Sequence, residues 1–178
     1  MIITLILFNH PLFLYHHDIL VILIKNLPHF CDMIENYKKE NIGPCKYTFR
    51  LGEIFMHKKI DLVEVDREKF PELQEIKLPY ILKPGEHVIG RTIEKFDTPM
   101  DLMSIYGASS TSVRIGLTIS IGGINDPGYK GNAVLGIHNT SPNKIKLFKG
   151  MELMHTAFIE LKGNAIPVQT KYMGGKIL

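Results

Sequence analysis

The chain has 178 residues, 45% of them hydrophobic and 22% charged. That length suits one domain with a real core, and so ordinary a charge content excludes a globally disordered chain. The formal charge of +3 comes with no stripe of Lys and Arg, so no nucleic-acid partner is expected. The two cysteines, Cys31 and Cys45, make neither a disulfide framework nor a zinc spacing, and a reducing, cytoplasmic setting is expected.

Residues 1–24 are apolar at Ile2–Phe8, Leu12–Tyr15 and Ile19–Ile24, but His10, Pro11, His16, His17 and Asp18 interrupt them. No window reaches the roughly 18 uninterrupted apolar residues of a membrane span, and no signal-peptide pattern is present. The segment reads first as an edge strand or buried arm, second as an amphipathic or oligomer-contacting element, and last as a membrane anchor. The three histidines match no common metal site. Leu27, Phe30, Cys31, Ile34 and Tyr37 recur at helical spacing and predict a short amphipathic helix within 26–42, ended by Gly43-Pro44.

Strands follow. Tyr47–Phe55 and Ile60–Val65 alternate, Asp66–Glu75 is a charged loop or helical turn, and Ile76–Leu82, broken by Pro79, is an edge strand or extended crossing. His87–Ile93 alternates, and Pro99–Ser104 suits a one-turn helix with Pro99 at its start. A serine-rich turn, Gly107–Ser112, leads to a strand at Ile115–Ile121. Gly122-Gly123-Ile124-Asn125 and the tight turn Asp126-Pro127-Gly128 follow it. Asn132–His138, Ile145–Phe148 and Leu153–Leu161 read as the last strands, and Lys162–Leu178 as a flexible Gly-rich tail. Short strands at this spacing, with frequent Gly and Pro, predict a single all-β domain, a sandwich or barrel with short helices.

The stretch Tyr106–Gly131 concentrates the chemistry. Two small-residue loops joined by a short strand bring hydroxyls, backbone N–H groups and one carboxylate toward a common point. Asp126 is either a turn-capping residue or a catalytic, water-holding carboxylate. Ser109, Ser110, Thr111 and Ser112 offer hydroxyls, and Arg114 a planar fork for phosphate. Tyr129 either stacks on a base or sugar or packs within the barrel. Tyr172–Lys176 is either a mobile flap or a frayed end.

The order of motifs resembles the superfamily of dUTPases and dCTP deaminases, most of all the deaminase-like archaeal dUTPases. Tyr47–Gly52 resembles its YDLRLG strand, Leu82–Glu86 its LxPGE turn, and Pro99–Leu102 its PxDL segment. Ser109–Leu117 lies on the RSSLARLGL-type motif and Gly122–Gly131 on the AGxIDPGYxG motif. Leu135–Asn139 matches LExxN, and Lys149–Leu153 the late GxxI turn. The resemblance covers about residues 44–161 and implies a distorted jelly roll, a homotrimer with sites between subunits, and a deoxynucleoside triphosphate substrate. It further implies magnesium held mainly through substrate phosphates.

By the same resemblance, Ser109, Ser110, Thr111 and Arg114 bind phosphates. Backbone at Gly123, Ile124 and Asn125 reads the base, Tyr129 packs under the sugar, and His155 and Lys176 complete the substrate site. Asp126 orients the attacking water as the catalytic residue. The chain departs from the pattern at Thr48 (for an aspartate), Ser109 (for an arginine), Gly136 (for the strand glutamate) and His155 (for a glutamine). Glycine has no group with which to move a proton in deamination. The expected function is therefore hydrolysis of dUTP to dUMP and pyrophosphate. A weak or inactive nucleotide-binding homologue is one alternative, and a dCTP deaminase, disfavoured by Gly136, is the other.

Overall fold

The computed structural model describes residues 30–61, 63, 71–163, 165–166 and 173–177. The N-terminal apolar segment, most of the charged stretch after Asp61 and most of the tail lie outside the described residues. Two short α-helices, α1 (Phe30–Met33) and α2 (Ser110–Arg114), and a 3-10 turn at Lys39–Asn41 accompany eleven described strands. These are β1 (Ile34–Glu35), β2 (Tyr47–His57), β3 (Leu73–Ile76), β4 (Tyr80–Leu82), β5 (His87–Asp97), β6 (Leu102–Ala108), β7 (Leu117–Ser120), β8 (Ile124–Asn125), β9 (Lys130–Asn139), β10 (Ile145–Leu147) and β11 (Glu152–Glu160). The all-β, jelly-roll-like architecture expected from sequence is observed.

One antiparallel sheet runs in the order β7-β9-β5-β2-β11-β6-β8, with β1 added on β5 and β3 on β2, while β4 and β10 pair separately. β2 makes this a curled sheet. Its first residues, Tyr47–Arg50, pair with β11, and its later ones, Leu51–Phe55, pair with β5. The register shifts between Leu51 and Glu53, a bulge that re-aims the strand. Gly52 sits at that bend, where a Cβ would lie 3.1 Å from the backbone of Arg91, Thr92 and Ile93.

The concave side is filled by Tyr47, Phe49, Leu51, Leu135, Ile137 and Phe158, all nearly or fully buried. Phe49 stacks on Phe96 with ring centroids 4.7 Å apart, and Tyr47 meets Phe49 edge-on at 4.9 Å. A buried ionic group lies in this core. Glu94 on β5 accepts from Arg50 Nε at 2.6 Å, from Arg50 N at 3.0 Å and from the Tyr47 hydroxyl at 3.1 Å. Burial is the leading cause that pushes the Tyr47 phenol well above its ordinary pKa.

Several expected elements differ. Of the helix expected within 26–42, the described part spans Phe30–Met33, because Ile34 and Glu35 leave it to pair with Phe96 and Lys95 of β5. Asn36 then turns the chain at φ 59. Residues 60, 61 and 63 of the expected strand are not in a strand. Leu73–Glu75, expected as part of a loop or helical turn, join Ile76 in a strand held against β2. The expected helical turn at Pro99–Ser104 is a single turn in which Leu102 N donates to Pro99 O, after which β6 begins. The serine-rich turn winds into α2.

Candidate functional site

A cavity of about 540 Å³ is lined both by side chains from the outer face of β5 and β9 and by Ala133 at the edge of the core. Tyr106 of β6, Ile124 and Asn125 of β8, and Asp126 and Tyr129 of the following turn form one wall. Ile89 of β5, Val134 of β9 and His57 at the end of β2 form another part of its lining, and Lys176 and Ile177 of the tail complete it.

The Asp126 turn is tightly built. Tyr129 N donates to Asp126 O at 3.2 Å, and Gly128 N donates to Thr98 O at 3.0 Å. Thr98 N in turn donates to Tyr129 O at 2.9 Å. Gly128 takes φ +77, a conformation glycine adopts without strain. Asn125 is buried and donates to the Thr98 hydroxyl, which leaves the Asp126 side chain exposed at the turn's tip. The Tyr129 hydroxyl donates to Asn132 O at 2.8 Å, and its ring and that of Tyr106 both pack edge-on against Phe96. Burial raises the pKa of both phenols, so they stay neutral and hydrogen-bonding near pH 7.

Backbone contacts of Gly174 and Gly175 bring the tail to the cavity. Gly174 N donates to Lys130 O at 2.7 Å, and Gly174 bridges Gly131 in parallel. A Cβ on Gly131 would fall 2.3 Å from the carbonyl carbon of Gly174. Only glycine lets the two backbones come this close, and this seats Lys176 at the rim.

The structure therefore brings Ile124, Asn125, Asp126, Tyr129 and Lys176 together, with Gly123 in the same loop. It places the others elsewhere within the chain. Ser109 caps α2: its hydroxyl accepts from Ser112 N at 3.0 Å, and its own N–H donates to Leu153 O. Both Ser109 and Ser112 are buried, while Ser110, Thr111 and Arg114 are exposed. Arg114 lines a separate open groove with Ser141–Lys146. His155 lies on β11, its Nδ1 3.0 Å from the Thr48 hydroxyl and its Nε2 3.1 Å from Lys46 Nζ. Burial first, then Lys46, holds its pKa below the ordinary value.

Sequence reading missed a row of histidines. His57, His87 and His138 sit side by side on β2, β5 and β9, with ring centroids 6.1 Å and 6.4 Å apart. Gly136 lies beside them. A Cβ there would fall 2.3 Å from Ser120 Oγ and 2.8 Å from His87 Nε2. Among the described residues, no group of three His, Cys, Asp or Glu is placed to hold a metal ion. No described helix is long and apolar enough to cross a membrane.

The chain belongs to the dCTP deaminase-like family, whose model matches residues 30–161. It is 30% identical over 143 residues to a dUMP-forming dCTP deaminase of Dictyoglomus thermophilum, covering 75% of this chain and 72% of that protein. It is 32% identical over 137 residues to a dCTP deaminase of Halorubrum lacusprofundi, covering 71% and 67%. A solved 2′-deoxycytidine 5′-triphosphate deaminase from Agrobacterium tumefaciens shares the fold, with a TM-score of 0.60 at 16% identity. The match covers 73% of this chain and 45% of that longer one.

Membership in the dUTPase and dCTP deaminase superfamily is thus established. The nearer kinship with archaeal dUTPases is not: these relatives are named as dCTP deaminases. The same finding overturns dUTP hydrolysis as the leading activity. That expectation rested on the resemblance to archaeal dUTPases and on the glycine at position 136, and neither outweighs a family match across residues 30–161.

Proposed function

We propose that the protein acts on dCTP, replacing the cytosine amino group with oxygen and releasing ammonia. Membership in the dCTP deaminase-like family carries this reading. The cavity suits it. Backbone polar groups at Gly122–Asn125 face a flat base, Tyr129 supports the sugar, and Asp126 offers a carboxylate to a sugar hydroxyl. Lys176 at the rim attracts phosphate. Asp126 is the one carboxylate among the described residues of the cavity lining, and magnesium is held mainly through the phosphate oxygens, whose charge it screens. The functional unit is a homotrimer in which exposed Ser110, Thr111 and Arg114 of one subunit serve a neighbour's cavity.

Gly136 favours a second reading, a homologue that binds the nucleotide without turning it over, since that position carries no proton-moving group. Ammonia release separates the two. With magnesium present, dCTP yields ammonia and CTP does not, and Asp126→Asn weakens dCTP binding at least tenfold while the far-ultraviolet spectrum is kept. Saturable dCTP binding with no ammonia would replace deamination by the binding reading.

A further inference from the structure

Deamination at the cytosine C4 needs a group that takes a proton from water and gives it back to nitrogen. The side of the sheet that carries the cavity offers a row of imidazoles at one end of it. His57, Ile89 and Val134 line the cavity. Strand register carries this surface on: Ile89 is opposite Gly136, and His87 is opposite His138. Val88, Leu135 and Ile137 point the other way, into the core. His87, exposed and just outside the cavity lining, therefore lies one residue pair beyond Ile89 on this surface, its ring stacked on that of the lining residue His57 with 13° between planes. Its Nε2 occupies the space over Gly136, 2.8 Å from where a Cβ would stand. The groove over Gly136 is not empty; it is filled by an imidazole from β5 and by the Ser120 hydroxyl from β7.

We propose that His87 is a catalytic residue that touches the cytosine ring and the attacking water, carrying protons in the place where Gly136 has no side chain. The step balances with water as the only co-reactant. Neutral His87 takes a proton from water as the water oxygen bonds to C4, and passes it to N3. It then takes the proton of the new hydroxyl and delivers it to the amino nitrogen. The C4–N4 bond breaks, ammonia leaves with the bonding pair, C4=O forms, and the imidazole ends neutral.

The surroundings support a neutral imidazole. Burial first, then His57 of β2 and His138 of β9, hold the His87 pKa below its ordinary value of 6.5. The facing group from β7 is the uncharged Ser120. The adjacent Glu86 is turned to the Tyr80 hydroxyl and to Lys83 N. Arg91, further along the same side, is paired with Glu53.

This inference rests on the deaminase reading, and its test separates the two. Full-length protein with magnesium and dCTP is assayed for ammonia from pH 5 to 8, with equilibrium dialysis of dCTP alongside. In the wild type kcat falls on the acid side, at a pH below about 6.5, the ordinary histidine value. His87→Asn lowers kcat by about 100-fold or more and leaves the dCTP Kd within about threefold. His138→Asn removes one of the groups that hold the His87 pKa down, so the acid limb moves to higher pH, which a purely structural residue would not do. An active wild type matched by an equally active His87→Asn variant overturns the role of His87 and leaves deamination standing. Loss of kcat and binding together, or an unmoved limb in His138→Asn, also overturns it. A wild type that binds dCTP and releases no ammonia overturns both.

Discussion

Two ion pairs show how burial decides what a charge contributes. Arg50 and Glu94 meet at 2.6 Å with side chains 10% and 0% exposed. Glu94 also receives the Tyr47 hydroxyl and the Arg50 N–H. Removing the carboxylate leaves a largely buried guanidinium without its counter-charge, holding the Asn36 carbonyl. Glu94→Ala is expected to cost about 3–5 kcal/mol of stability, the usual loss when one half of a buried pair is deleted. Arg91 and Glu53 form the contrasting pair, with side chains 30% and 41% exposed. Water and salt compete for that contact, so Glu53→Ala is expected to cost no more than about 1 kcal/mol. Urea denaturation of the two variants, read at their midpoints, checks the difference. Equal losses would mean that the Arg50–Glu94 network adds nothing to the surrounding apolar core.

At the scale of elements, the tail is held to β9 by a backbone contact that depends on Gly131. The residue takes φ +140 and leaves 2.3 Å between a hypothetical Cβ and Gly174. Gly131→Ala must therefore push residues 173–177 off the strand, while β9 keeps its register with β5 through Val88–Ile137 and Gly90–Leu135. Faster hydrogen exchange confined to the tail, with weaker dCTP binding as Lys176 leaves the rim, is the expected result. Unchanged exchange at Gly174 would refute this account of the contact. The strands themselves were legible, because β5, β9 and β11 alternate buried and exposed residues over most of their length. The helix within 26–42 was misread because the apolar spacing of Phe30, Ile34 and Tyr37 also suits a segment that pairs with β5. Serine clustering likewise did not separate a hydroxyl open to ligand from one engaged as a helix cap, as in Ser109. The Asp126 turn was visible because its residues are contiguous. The histidine row was not, because only the pairing of β2, β5 and β9 brings residues 57, 87 and 138 together.

At the scale of the whole molecule, two halves of the expected site lie apart within one chain. Asp126 and Tyr129 line the cavity, whereas Arg114 lines the groove with Ser141–Lys146. Around them Val113 is 64% exposed and Ile124 60%, and Ile105, exposed as well, pairs with Ile124 in register. Apolar side chains beside both halves suit burial between copies. In the proposed trimer, the arginine of one subunit completes the cavity of the next, and this arrangement has a numerical consequence. Arg114→Ala and Asp126→Asn each spoil every high-affinity dCTP site when present alone. Co-expressed in equal amounts, they assemble at random, and about one quarter of the interfaces in a cyclic trimer then join an intact Arg114 to an intact Asp126. Equilibrium dialysis should recover that fraction of wild-type sites, and light scattering should give the trimer mass. Sites confined to a single chain would recover none, because every subunit carries one lesion. A full recovery would fit neither arrangement and would show that one of the two residues has no part in binding.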